Sequence, residues 1–586
     1  MKLHKIREMG GGGGKLSAFR SGGSAVKRLA LSAAVAVSSV FLTSAATVAY
    51  WPLAKDNGVS MAQGDALANS VSGGADAVAA HINIRTGGVN AAAGSVKPPD
   101  WPIGTNAFPS AFGVYDPVAK ENLAATTGLD FGRDTFANNW NDGTKNPKPP
   151  EGIECPWISC VLQAADFDAG KTDSFTVEFF VRTDPTYKGK HQVLAAMPVS
   201  TGTHSNYDTT KASWSIELNE SGNIFATICT NTETAVHTTP AAGAKIWDDR
   251  WHHIALTIDG KNVKLLVDYT TVRTATLKDT VKFSDDGHLF IGGTTHTIYS
   301  YAGSMAHFRV SNTALTSDQF LHFTRTVRAA DEPEDVVLHL DFEPVDGLST
   351  NQTVVFNRAA TGSAVHLYSY TDYYEYIGNA KYDTDVYTNT LYSSRTSRTQ
   401  YVNTLSFSKT KVTNNRSSPH LEWYPDDDIF HDYPFTIEMF LKTTEKAEYK
   451  PYLRRRTGTA PDAAVQLTIG TGRNTTGTLV SGFNAHRVTA GATIADGEWH
   501  HWALVYDKTN KKEYMYRDWK QTGNVASVTE SNIGTAEAHP IVILGDPGDN
   551  SSSLAKIDDV RITKRALGVK EFLSPVCSKG LMIAIQ

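Results

Sequence analysis

Cysteine is nearly absent. The 586 residues hold four, and no two form a C-x-x-C pair, which argues against a zinc ribbon or a redox dithiol. Cys155 and Cys160 lie five apart; in an exported chain they are a candidate disulfide, the alternative being two half-buried thiols. Cys229 and Cys577 stand alone. Basic stripes are missing beyond the N-terminus and the formal net charge is −6, so the chain has no electrostatic footprint for nucleic acid. No apolar run after residue 46 is long enough to cross a bilayer, and Gly580-Leu581-Met582-Ile583-Ala584-Ile585-Gln586 is too short to do so. Long segments of helical period are missing as well. Neither G-x-S-x-G nor H-E-x-x-H occurs, which removes the serine-hydrolase elbow and the zincin helix from consideration.

The N-terminus has its own character. Lys2, Lys5, Arg7, Lys15, Arg20, Lys27 and Arg28 precede an uncharged run at 29–46 that ends in Ser44-Ala45-Ala46. A basic segment, an apolar run and small residues at a cut site read as a secretory signal; left uncleaved, the same run is a membrane anchor. Either way the remainder is expected outside the cell, secreted or at the cell surface, with membrane contact only through that segment.

What the chain has in abundance is repetition. Asp248-Asp249-Arg250-Trp251-His252-His253-Ile254-Ala255-Leu256 is echoed by Asp496-Gly497-Glu498-Trp499-His500-His501-Trp502-Ala503-Leu504. Phe175-Thr176-Val177-Glu178-Phe179 is echoed by Phe435-Thr436-Ile437-Glu438-Met439. Met305-Ala306-His307-Phe308-Arg309-Val310, with Ala314-Leu315 after it, is echoed by Ile557-Asp558-Asp559-Val560-Arg561-Ile562 and Ala566-Leu567. A looser opening pair is Ala49-Tyr50-Trp51-Pro52-Leu53 and Leu338-His339-Leu340-Asp341-Phe342. Four landmarks in one order imply two copies of one β domain. Each landmark alternates as a strand does: Val177, Phe179 and Val181 against Glu178, Phe180 and Arg182. The Asp259-Gly260 turn predicts a hairpin between the Trp-His-His strand and Lys264-Leu265-Leu266-Val267-Asp268, and short helical turns are expected near 314–320 and 566–572. The predicted organisation is a signal or anchor at 1–46, a first domain at 47–328 with an insertion near 90–165, an acidic linker at 329–335, a second domain at 336–575 with a Tyr-rich loop at 366–401, and a tail at 576–586.

Both copies resemble the laminin-G-like jelly-roll domains of the concanavalin-A-like lectin/glucanase superfamily, through the Tyr-Trp-Pro-Leu opening strand (clear only in the first copy), the Phe-Thr-Val/Ile-Glu strand, the Asp-x-x-Trp-His-His strand and the Ile-Asp-Asp-Val-Arg-Ile strand with Ala-Leu after it, from which the first copy departs by Ala306-His307 in place of Asp558-Asp559. The resemblance implies an all-β fold of two tandem jelly-roll β-sandwiches. It also implies an exported, non-catalytic binding or adhesion protein that recognises carbohydrate or another cell-surface polymer, with a glycan or surface protein as partner. The alternatives are a divergent glycoside hydrolase and a structural cell-envelope component.

Candidate chemistry follows. His252 and His253 are strand neighbours and so point to opposite faces, as do His500 and His501; they are expected to pack and hydrogen-bond rather than share a ligand. Hydrolases of the superfamily carry paired carboxylates as Glu-x-Asp-x-Glu or Glu-x-Asp-x-x-Glu, and neither pattern is present; Glu178 and Glu438 stand alone on their strands. Calcium is common at the rim of the domains this sequence resembles, which makes Asp546, Asp549 and Asp558 candidate ligands, with plain turns as the alternative. The segment 366–401 holds nine tyrosines, and Tyr373, Tyr374 and Tyr376 are candidates for stacking on sugar rings, against the reading of a Tyr-rich edge strand.

Overall fold

The computed structural model describes residues 47–573 with gaps, the longest at 55–65, 84–102, 132–153, 162–173, 199–211, 369–379, 388–399, 408–419 and 529–540. The leader and the tail lie outside the described residues. Nearly every element is a strand, as the alternating landmarks require. No helix among the described residues is long and apolar enough to cross a membrane.

The first sandwich pairs two eight-stranded sheets. At the centre of one, the Phe175–Thr183 strand lies between the Trp251–Asp259 strand and the Gly303–Ser311 strand. The opening strand Thr47–Trp51 also pairs with Gly303–Ser311. The hairpin predicted at Asp259-Gly260 is formed, with Asp259 opposite Asn262 and Gly260 at φ 59°. The facing sheet runs through the strands Ala212–Leu218, Gln192–Pro198, His288–Ile291 and Glu154–Val161. Val177, Phe179, Val181, Ile254, Leu256 and Trp214 fill the space between the sheets.

The second sandwich repeats this plan. Phe435–Thr443 lies between Trp499–Asp507 and Ala555–Thr563. The opening strand Val336–Leu340 pairs with Ala555–Thr563 as its counterpart does. The core is built from Ile437, Met439, Leu441, Trp502 and Leu504 with residues of the facing sheet. A 3-10 turn at Val569–Glu571 matches the helical turn expected there.

Three expectations change. Alternation on the Phe175–Thr183 strand predicts one buried and one polar face, yet both faces are buried. A three-stranded layer (His322–Arg325, Phe112–Asp116, Glu121–Leu123) belongs to a second apolar cluster on the outer face, with Phe180, Trp251 and Phe323. The stretch 90–165 is not simply an insertion: Ile103–Ala107, Thr127–Phe131 and Glu154–Val161 are strands of the two main sheets. Nor is 366–401 one loop, since Ala380–Tyr387 is a strand paired with Gln400–Phe407.

The halves touch. Trp251 N donates to Gly347 O at 2.8 Å, and Phe112 meets Phe356 edge-to-face at 4.8 Å. The acidic linker is also pinned: Glu332 and Asp331 pair with Arg358.

Candidate functional site

The Trp-His-His strands carry adjacent titratable side chains in both copies. Trp251 and Trp499 are fully buried. Gly128 makes room for Trp251, since a Cβ there would come within 2.6 Å of the indole and of Met305 O. The two histidines diverge as strand geometry demands. His252 bonds Asp248 and Asp268, each at 2.9 Å. Burial alone would lower its pKa, but the two carboxylates lift it to about 10. His253 points the other way and donates from Nε2 to Glu178 Oε2 at 2.8 Å.

Glu178 is the hub of a buried network. Arg309 Nε donates to Glu178 Oε1 at 2.6 Å and Leu321 N to Oε2 at 2.9 Å. Arg309 Nη1 reaches Asp116 Oδ2 at 3.1 Å and Nη2 reaches Gln319 O at 2.7 Å. Burial would raise the Glu178 pKa; Arg309 and His253 hold it below the usual value instead.

The second copy is built alike. His501 Nε2 meets Glu438 Oε1 at 3.1 Å, Arg561 Nε donates to Oε2 at 2.9 Å, and Leu573 N donates to Oε1 at 2.8 Å. There too burial would push the carboxyl up, and His501 and Arg561 bring it down. In both copies the hub therefore ties three strands to the segment that follows the closing Ala-Leu.

The repetition extends to the next turn. Asp268-Tyr269 and Asp518-Trp519 form two-residue hairpin turns with positive φ at both residues, 48° and 65° in one and 48° and 62° in the other, a conformation that strains side-chain-bearing residues. The Trp-His-His strand holds each turn in place. Asp268 Oδ1 accepts from His253 N and Asp518 Oδ1 from His501 N, both at 3.1 Å. Tyr269 stacks on His253 at 4.5 Å and Trp519 on His501 at 5.0 Å. Tyr269 Oη donates to Leu321 O at 2.9 Å, and Trp519 Nε1 to Leu573 O at 2.8 Å. The motif is thus a clamp: the first histidine anchors the turn's aspartate, and the second supports the turn's aromatic ring and the hub. Sequence reasoning placed the histidines in the scaffold but missed Arg309, Arg561, Asp268 and Asp518. Their recurrence at matching positions was the available signal.

The other candidates fall differently. Tyr373, Tyr374, Tyr376 and Asp549 lie outside the described residues. Asp546 belongs to the short strand Gly545–Asp546. Asp558 is buried, mid-strand opposite Phe440, with Oδ1 accepting from Asp559 N at 2.9 Å. A carboxylate placed inside a sheet favours a structural role over that of a rim ligand. Among the described residues no group of three or more His, Cys, Asp or Glu side chains is placed to hold a metal, so no chemistry is derived through calcium. The candidate disulfide pair falls on a strand. Glu154–Val161 is one continuous strand, in which five residues span about 16 Å, far beyond the roughly 7 Å limit between bridged Cα atoms.

The copies differ along one row of paired residues in their facing sheets, in which Phe290, Ala196, Ser215, Glu422, Val542 and Arg454 are all buried. One row across the first sandwich runs Ser159, Phe290, Ala196, Ser215. The matching row of the second is Glu422, Val542, Arg454, Thr468. Beside Ser215, Glu217 Oε2 meets His191 Nε2 at 2.5 Å; at that register the second copy has Gly470.

The laminin-G profile of the concanavalin A-like lectin/glucanases superfamily matches residues 160–320 and 414–571, more than half the chain, and this protein belongs to that family. Similar solved structures include domains LG4-5 of the mouse laminin alpha1 chain, at 14% identity, covering 70% of this chain and 86% of that one with a TM-score of 0.20. The CBM40 of the Ruminococcus gnavus IT-sialidase bound to alpha2,3 sialyllactose is 18% identical, covering 25% and 80% with a TM-score of 0.20. The binding domain of botulinum neurotoxin DC in complex with SialylT is 10% identical, covering 86% and 99% with a TM-score of 0.29. No curated protein sequence matches the chain.

Proposed function

We propose that this chain is an exported, non-catalytic binding or adhesion protein that recognises carbohydrate or another cell-surface polymer, with a glycan or surface protein as its partner. What carries this reading is a contrast between the copies. Glu178 and Glu438 are buried, and each is paired with an equivalent Arg and bonded to an equivalent His. They serve a duplicated scaffold and are unsuited to the open acid/base pair that glycoside hydrolysis needs. Around that common scaffold the outer strands have diverged, exposed Lys264 giving way to half-buried Tyr514 and buried Leu266 to half-buried Tyr516. A constant frame with varied faces suits recognition by two sites of different specificity. The tyrosines Tyr373, Tyr374 and Tyr376 remain proposed ligand contacts.

The test is a glycan array probed with the secreted chain, followed by incubation of each retained glycan and product analysis. Retention without cleavage is expected. Release of reducing ends would replace this reading with the hydrolase. An empty array for the intact chain would favour a structural envelope role. Unchanged retention by a Tyr373→Ala/Tyr374→Ala variant would remove that segment from the site.

A further inference from the structure

The outer face of the second sandwich carries partly exposed aromatics where the first does not. On the first, Lys264 is exposed and Leu266 is buried in the outer apolar cluster. The same register positions of the second, opposite Val505 and Ala503, hold Tyr514 and Tyr516. Both are half-buried, packed at the edge of a small cluster with Phe572 and Leu567. They are two residues apart on the Lys512–Arg517 strand, hence on one face with about 7 Å between them. Tyr516 is braced edge-on by Phe572 at 5.1 Å, and Phe572 belongs to the segment that the Glu438 hub and Trp519 hold down. Burial and the neighbouring Tyr514 both raise the Tyr516 pKa. The rim is polar: exposed Gln521 lies opposite Tyr516, and Lys512 Nζ donates to Ser527 Oγ at 2.8 Å. Val525, 41% exposed on the same edge strand, is the aliphatic exception.

We propose that Tyr514 and Tyr516 form a stacking platform for a neutral glycan chain, each phenol presenting a face to a sugar ring while Gln521 and the strand-edge hydroxyls orient it. This rests on the carbohydrate reading above and assigns it a site in the second copy alone. Aromatic faces supply apolar area at little conformational cost, and amide and hydroxyl groups match a polyol without demanding a charge. A stable protein partner would bury roughly 800 Å² on this side, more than two half-buried phenols and Val525 offer.

The experiment is affinity electrophoresis of the full chain through gels containing β-glucan, mannan, xylan or galactan, with Tyr514→Lys/Tyr516→Leu as the variant. These are the residues the first copy carries in the same strand, which favours folding. Retardation of the wild type by at least one polysaccharide is expected, with at least about a tenfold loss of affinity in the variant and an unchanged circular dichroism spectrum. Undiminished retardation of the folded variant would overturn this site and leave the carbohydrate reading standing. A wild type retarded by none of the four, and silent on the glycan array, would overturn both. Nitration of wild-type tyrosines covers the case of a variant that does not fold: the retarding polysaccharide should protect Tyr514 and Tyr516, and equal nitration with and without it would overturn the platform.

Discussion

His253 donates Nε2–H to Glu178 at 2.8 Å, and the pair is sealed beneath an outer layer that its own hydrogen bonds hold in place. The same pair recurs as His501 and Glu438 at 3.1 Å. Leu321 N and Leu573 N complete the two hubs, so each links the Trp-His-His strand, its two neighbours on that side and the following segment.

Glu438→Ala should therefore leave Arg561 without its counter-ion and His501 Nε2 without its carboxylate partner, and destabilise the protein by about 3–5 kcal/mol. Glu178→Ala should do the same in the first copy. Urea unfolding followed by tryptophan fluorescence measures both. A change below about 1 kcal/mol in either would show that its hub is not structural.

Glu513 is a different kind of buried carboxylate. It faces the core of the second sandwich opposite Tyr506, without a hydrogen-bond partner, and burial pushes its pKa up to about 8. The first copy has Val263 at that register, in its core. The folded state thus keeps a proton that the unfolded chain releases above its ordinary carboxyl pKa. Stability is full at acid pH, falls as pH rises from about 4.5 to about 8, and is level beyond. Glu513→Val should raise stability by about 3 kcal/mol at pH 7 and flatten that pH dependence. Thermal melts at pH 5, 7 and 9 read this directly; parallel curves for wild type and variant would refute it.

Tyr50 and His307 face each other in the first copy as His339 and Asp559 do in the second. His307 and Asp559 take the same left-handed bulge position, φ 51° and 45°. Burial lowers the His307 pKa to about 3, whereas His339, which burial would also lower, is raised to about 9 by Asp559 and Glu332. The signs are opposite. His307 contributes stability at neutral pH that is lost as pH falls from about 6.5 towards 3, while His339 contributes stability at acid pH that is lost as pH rises from about 6.5 through 9. His307→Asn should remove part of the acid sensitivity, and His339→Asn part of the alkaline sensitivity. Urea midpoints across pH 4–10 test both, and a variant whose pH profile superimposes on the wild type would contradict its assignment.

Cys155 and Cys160 should both be thiols in the native protein. Denaturation without reductant, followed by alkylation and peptide mass analysis, should find each carrying one label. A linked pair would show that Glu154–Val161 is not the continuous strand described here.

Much of this was legible beforehand. Val177, Phe179 and Val181 announced a core face, and Asp259-Gly260 announced a hairpin, because both depend on local backbone geometry that a short window of sequence encodes. The opposed directions of His252 and His253 followed from strand alternation alone. The burial of Glu178 and Phe180 did not. A strand covered on its second face reads like any other strand until the layer above it is known, and that layer comes from Phe112–Asp116 and His322–Arg325, far away in the chain. The strand at Glu154–Val161 was hidden for a related reason: five residues suit a small loop only when the chain turns, and here it runs through a sheet.

The sequence by itself determined the duplication, the strand-rich fold class and the family, since repeated landmarks and period-two alternation are properties of the chain as written. Only the tertiary structure decided what the landmarks do. Glu178 meets Arg309 across 131 positions, and Glu438 meets Arg561 across 123. A charge buried at such a distance from its partner is invisible to spacing, because pairing between strands, and not order along the chain, sets which side chains share the low-dielectric interior.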